Sequence, residues 1–281
     1  MAGTFSRSWQ LLKESLAVLR DNTGLVVFPI VSGICTIIVS ASFLVPGFFL
    51  LDRSGDVVKV NPLVYVLLFF FYLVNYFVII FFNAGLIFCV RKILHGQQAT
   101  FSEGVSDAWS KVGKILGWAA ISATVGMVLQ MIRENAGVFG KIIVGLIGMA
   151  WNLLTFFVVP VLVFEGVGPF EAIKRSGSIF KKTWGESVIG QFSLGLVFGL
   201  LGLLGIVPIV LAALTGKVAL IVGAVALMLI YWFMLGIISA SLTGIYRTAL
   251  YEYATTGQVA PAFSQQAIVS AFQPKPQKKS F

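Results

Sequence analysis

Hydrophobic and charged positions fall into blocks along the chain. Six runs contain no Asp, Glu, Lys, Arg or His: Leu25 to Leu51, Leu63 to Val90, Ile115 to Ile132, Ile142 to Phe164, Ser187 to Gly216 and Val218 to Tyr246. A helix rises about 1.5 Å per residue, so about 20 apolar residues cross a hydrocarbon layer, with roughly 17 to 25 the usual range. All six runs reach that length and are predicted as transmembrane helices. The four longest exceed the range and are expected to tilt, kink or project into the headgroups.

Between these runs the pattern changes to helical amphipathicity. Three segments, about 3–21, 101–114 and 168–186, are predicted as interfacial helices. In the first, Phe5, Trp9, Leu12, Leu16 and Leu19 recur at alternating steps of four and three. In the second, Val105, Trp109, Val112 and Leu116 form the stripe among Glu103, Asp107, Lys111 and Lys114, and Thr100 with Glu103 makes a capping box. The third opens with Gly168-Pro169 and sets Phe170, Ile173, Gly177, Phe180 and Trp184 opposite Lys174, Arg175, Lys181 and Lys182.

Two spans follow each amphipathic segment. The chain is therefore predicted to be all-α, a six-transmembrane-helix bundle built from three repeats of an interfacial amphipathic helix plus a helical hairpin. Residues 1–246 form the membrane domain, and 247–281 are expected to be a polar cytosolic tail with a short helix from about Ser264 to Phe272.

Composition supports this reading: 58% of residues are hydrophobic and 11% charged, against about 25% charged in soluble domains. The net charge of +9 suggests nucleic acid until its distribution is considered. The connectors alternate between rich and poor in Lys and Arg, and the richer set includes both chain ends. The positive-inside rule then places both termini in the cytosol of a multi-pass protein of the cell (inner) membrane, and accounts for the charge without nucleic acid. The first apolar run is too long for a signal peptide and is expected to remain as a helix. The outer links, Asp52 to Pro62, Arg133 to Lys141 and the single Lys217, are too short for an external domain.

Several local features carry a resemblance. The start Phe5-Ser6-Arg7-Ser8-Trp9, the turn Glu165-Gly166-Val167-Gly168-Pro169-Phe170-Glu171-Ala172 leading to Ser176 and Trp184, and the endings Tyr246-Arg247-Thr248-Ala249-Leu250-Tyr251 and Ala271-Phe272-Gln273-Pro274-Lys275 resemble an uncharacterised family of prokaryotic multi-pass membrane proteins. That family is similar to the YciC-type inner-membrane proteins and to the membrane domain of some glycerophosphodiester phosphodiesterases. The resemblance implies a membrane architecture. It carries over no catalytic residue, and the soluble phosphodiesterase domain has no counterpart in this sequence.

Candidate chemistry is sparse. One histidine, His95, and two cysteines, Cys35 and Cys89, supply neither a metal cluster nor a disulfide framework. No phosphate-binding loop or nucleophile elbow occurs, and no ionisable group lies inside a run. No cofactor and no enzymatic activity are expected.

The amides Asn75, Asn83, Gln130, Asn152 and Gln191 are expected to face the protein interior, where they either join helices or line a polar path. Pro46, Pro160 and Pro208 are read as marking helix ends. The small residues Gly195 and Gly199, and Gly236, Ala240 and Gly244, are expected to pack helices closely within the chain.

The function expected on these grounds is a non-enzymatic membrane protein acting on lipids or a membrane partner through its basic amphipathic helices. Lys174, Arg175, Lys181, Lys182 and Trp184 are the candidate contacts. The alternative is a permease for a small neutral or lipid-like solute, with Asn75, Asn83, Asn152 and Gln191 along its path.

Overall fold

A computed structural model describes residues 2–49, 51–52, 59–60, 63–182 and 195–264. The protein is all-α. Among the described residues the order is α1 (Ala2–Asp21), a 3-10 turn (Thr23–Val26), α2 (Val27–Phe49), α3 (Leu63–Leu94), α4 (Phe101–Ser110), α5 (Val112–Asn135), α6 (Val138–Leu154), α7 (Val158–Phe164), α8 (Pro169–Lys182), α9 (195–204), α10 (Val207–Leu214) and α11 (Val218–Thr256). The link after α2 closes with a two-residue antiparallel pair, Leu51 opposite Val60 and Asp52 opposite Lys59.

Six stretches are long and apolar enough to cross a membrane: Thr23–Val45, Leu63–Leu94, Val112–Asn135, Val138–Phe164, Gly195–Leu214 and Val218–Thr256. A further helical segment, α1, α4 or α8, precedes each pair of spans, so the element order repeats three times as the sequence predicts.

The helices divide into two compact units, one of Val27–Cys89 with Ala99–Ser178, the other of Met1–Val26 with Val90–Gln98 and Ile179–Phe281. Burial along each span is polarised. On α3 the buried residues are Asn75 and a cluster from Ile80 to Leu94, on α5 they lie between Ile115 and Ala123, and on α7 they fill Val158 to Val163. On α11 they concentrate between Ile237 and Glu252. On α3, α5 and α7 these are the ends next to α4 or α8 in the chain, and on α11 the end that leads into the final segment; they are referred to below as the basic ends. The opposite halves expose large side chains such as Leu44, Phe139 and Leu214, the surface a lipid-facing span presents.

In the first unit the close packing depends on two glycines. A Cβ placed on Gly85 of α3 would lie 2.9 Å from the Gly104 carbonyl oxygen, and one on Gly104 of α4 would lie 2.8 Å from that of Gly85. The Phe28 ring and the Cys89 sulfur cover the same spot. Two backbones this close leave no room for a side chain.

The small-residue positions singled out from the sequence behave differently. A Cβ at Gly195, Gly199 or Gly236 meets nothing within 4 Å, and Ala240 is exposed, whereas Gly244 is buried. Of that set only Gly244 packs inside the chain, because the others face the side that α11 and α9 turn toward lipid.

Two spans are interrupted. The fourth breaks at residues 155–157 before Pro160, and the fifth at 205–206 before Pro208. Proline lacks an N–H and clashes with the carbonyl four residues earlier, so the helix cannot run through unperturbed. The expectation that these prolines mark helix ends is corrected here, since the helix resumes after each break. Pro46 lies inside α2.

Neighbouring helices satisfy the backbone groups each break frees. In the fourth span the Ser176 hydroxyl donates to the Leu154 carbonyl at 2.7 Å and accepts from the Phe157 N–H at 3.0 Å. In the fifth, the Tyr231 hydroxyl donates to the Leu201 carbonyl at 2.8 Å and the Trp232 indole N–H to that of Gly202 at 3.0 Å. Interrupted helices persist in apolar surroundings when side chains take up their polar groups in this way.

The expected boundary between membrane domain and tail, residue 247, falls within a helix. Buried Tyr246, Ala249, Leu250 and Tyr251 carry α11 on to Thr256. Gly257 then stops it in the left-handed conformation, φ 73°, its N–H donating to the Tyr253 carbonyl at 2.8 Å.

Candidate functional site

The polar groups of the described residues gather at the basic ends. α4 begins as its sequence predicts. Thr100 Oγ1 accepts from the Glu103 N–H at 3.3 Å, and Glu103 Oε2 accepts from the Thr100 N–H at 2.8 Å, closing the capping box. Its stripe, however, is turned outward: Trp109 and Leu116 are exposed, while Gly104, Ala108 and Ile115 are buried. α8 is rotated in the same sense, with Phe170 exposed and Ala172, Ser176, Ile179 and Phe180 buried. Bulky apolar groups at a lipid boundary lose nothing by facing outward, whereas small residues such as Gly104, Ala108 and Ala172 permit close helix contact and are buried.

This rotation decides where the candidate cations stand. Lys174 and Lys181 are exposed. Arg175 is directed to Glu165, its Nε 3.0 Å from Oε1 and 3.2 Å from Oε2. The Lys114 ammonium of α5 donates to the Gly166 carbonyl, and Gly117 lies against the Pro169 ring. Lys114 and Arg175 therefore both bind the 165–168 turn within one unit. Lys182 ends α8, but its side chain, with Trp184 and Gln191, lies outside the described residues, as do the proposed helix from Ser264 to Phe272 and the Pro/Lys-rich end.

The candidate polar path is not assembled from the residues described. Asn75 is buried and joins two helices, donating to the Phe71 carbonyl at 2.8 Å and accepting from Ser40 of α2 at 3.3 Å. Asn83 is half-buried. Asn152 is exposed, and Gln130 is half-buried, donating to Glu134 at 2.8 Å. The expectation that the amides face inward is thus met by Asn75 and corrected for Asn152. Gln130 lies one turn before a carboxylate at a span end, and Asn152 lies on the side of α6 away from α5.

One cluster escaped the sequence reading. Glu252, buried on α11, receives Arg91 of α3 at 2.8 Å, and the His95 ring lies 3.8 Å from its other oxygen. Arg247, one and a half turns earlier on α11, is half-buried. Beside this, Ser264 donates to Glu14 of α1 at 2.7 Å and accepts from Gln10 at 3.0 Å, tying the segment after α11 back to the first helix. The detectable signal was the spacing Tyr246, Ala249, Leu250 and Tyr253 with no helix breaker before Gly257.

Among the described residues no three His, Cys, Asp or Glu side chains converge as a metal site.

Six long apolar spans with cationic connectors define a multi-pass membrane protein. The chain belongs to a family of unknown function (DUF6159), whose model matches residues 62–261. No curated protein matches it. The family match establishes membership and assigns no activity, and the likeness to YciC-type proteins and to the phosphodiesterase membrane domain is not shown by it.

Proposed function

We infer that this is a non-enzymatic integral membrane protein of the cell membrane, with both termini cytosolic, that engages anionic lipid headgroups through the basic ends of its helices. The observation that carries the reading is the arrangement of α8. Its buried face, Ala172, Ser176, Ile179 and Phe180, anchors the helix to the protein, while Lys174 and Lys181 remain exposed. Exposed Trp109, Leu116 and Phe170 supply apolar groups suited to the layer beneath the phosphates. Each Lys or Arg near an anionic surface contributes about 1 kcal/mol.

The test compares two variants of the purified chain. Replacing Lys174, Arg175, Lys181 and Lys182 with Gln is expected to lower retention of phosphatidylglycerol while leaving the melting temperature unchanged. Phe180→Ala is expected to do the reverse. Unchanged lipid retention in the Gln variant overturns the reading.

The alternative, a permease for a small neutral or lipid-like solute, draws on the two interrupted spans, since broken helices often present backbone groups to a substrate. Here Ser176, Tyr231 and Trp232 already occupy groups freed by the breaks, which favours the lipid reading.

A further inference from the structure

Three consecutive residues of α8 hold the interrupted fourth span, and they differ in their access to solvent. Ser176, fully buried, bonds both edges of the break, donating to the Leu154 carbonyl at 2.7 Å and accepting from the Phe157 N–H at 3.0 Å. Gly177 lies against Leu154, where a Cβ would come within 2.7 Å of the Cδ1 methyl. Arg175 reaches past the break to Glu165, the residue that caps α7, with Nε 3.0 Å from Oε1 and 3.2 Å from Oε2. The Arg175 and Glu165 side chains are 44% and 27% exposed. The clamp thus joins a sealed member to an open one.

The turn between α7 and α8 is also held from a different side. The Lys114 ammonium donates to the Gly166 carbonyl, and Gly117 lies against the Pro169 ring, so α5 keeps the turn in place whether or not Arg175 is paired. What the pair adds is a second hold on the turn of α8 that carries Ser176. An ion pair this exposed is weak and readily exchanged. A lipid phosphate competes for the guanidinium through charge-assisted, bidentate hydrogen bonds. The negative potential of an anionic leaflet acts in the same direction, attracting Arg175 and disfavouring the Glu165 carboxylate beside it.

We propose that this clamp senses lipid charge: anionic headgroups draw Arg175 away from Glu165, the grip of Ser176 on the break slackens, and the bonds at Phe157 and Leu154 open more often. The device rests on the lipid-binding reading above and adds to it a response inside the span.

The test places the full chain in nanodiscs of phosphatidylcholine, alone or mixed with phosphatidylglycerol. Hydrogen exchange is followed in the peptide from Thr155 to Pro160, with the peptide from Ile142 to Met149 as control, and bound phosphatidylglycerol is counted separately by native mass spectrometry. Exchange reads local opening without requiring any change in global stability. At Phe157 it should be about two- to five-fold faster in the anionic discs, the range an exposed ion pair can supply, and the control should not change. Glu165→Gln and Arg175→Gln should each exchange at the faster rate in both kinds of disc. Ser176→Ala, which removes the bond itself, should be at least as fast in either.

Phosphatidylglycerol bound with exchange at Phe157 unchanged overturns the sensor and leaves lipid binding standing. Absence of bound phosphatidylglycerol overturns the lipid reading and the sensor with it. A lipid response that persists in Arg175→Gln, or one shared by the control peptide, bypasses the clamp and likewise overturns the proposal.

Discussion

The Ser176 hydroxyl lies 3.0 Å from the Phe157 backbone nitrogen, so a residue of α8 completes the hydrogen bonding of the interrupted fourth span. Ser176→Ala strands that N–H and the Leu154 carbonyl in a buried place. The expected cost is about 1–3 kcal/mol, the penalty for unsatisfied buried polar groups, while Ser178→Ala on the exposed side of α8 should change stability by less than about 0.5 kcal/mol. Thermal unfolding of both variants in detergent checks the contrast, and equal melting temperatures would remove the role given to Ser176.

The contact of Gly85 with Gly104 makes a second prediction. Gly104→Ala drives a methyl group against backbone and the Phe28 ring, and should destabilise by about 1–3 kcal/mol, as overpacking does. Gly236→Leu, at an open position, should be tolerated. The reverse ranking in a thermal shift assay would falsify this account of where the helices meet closely.

Arg91 and Glu252 join α3 to α11 at 2.8 Å, with the carboxylate buried and the guanidinium partly exposed. Arg91→Ala leaves that carboxylate poorly compensated and should lower stability, by an amount reduced through solvent access to the arginine. Combining it with Glu252→Gln should cost less than the sum of the single changes. A double-mutant cycle measures the coupling, and strict additivity would mean the two side chains do not interact.

Orientation is tested by labelling. In a chain without its native cysteines, a cysteine at Asn135 should react with an impermeant thiol reagent added outside intact cells, and one at Ser178 should react only after permeabilisation. The opposite pattern would invert the proposed topology.

The six spans were legible because bilayer thickness imposes a length that charge-free runs reveal directly. The α4 capping box was equally legible, since Thr100 and Glu103 act locally. What the sequence concealed depended on tertiary contacts. The apolar stripe through Trp109 and Leu116 was readable, but not that it faces outward, because in lipid small residues such as Gly104 and Ala108 gain most from burial. Pro160 and Pro208 announced a disturbance, yet whether the helix resumes depends on Ser176, Tyr231 and Trp232 from distant positions. Glu252 was assigned to a polar tail because it follows Arg247, although apolar spacing continued past both. Of the candidate contacts, Lys174 and Lys181 lie exposed on α8. The pairing of Arg175 with Glu165 required the fold.

The interruption in the fifth span bears on biogenesis. The Leu201 and Gly202 carbonyls find their donors on Tyr231 and Trp232, synthesised about 30 residues later, and three residues, Thr215 to Lys217, separate α10 from α11. A fifth span released alone into lipid would leave the Leu201 carbonyl without its donor, while the Gly202 carbonyl would keep only the Gly205 N–H at 3.2 Å. The last two spans therefore have reason to leave the insertion machinery together as a preformed hairpin, and a nascent chain stopped near Gly216 should be held back from the bilayer until its partner helix is made.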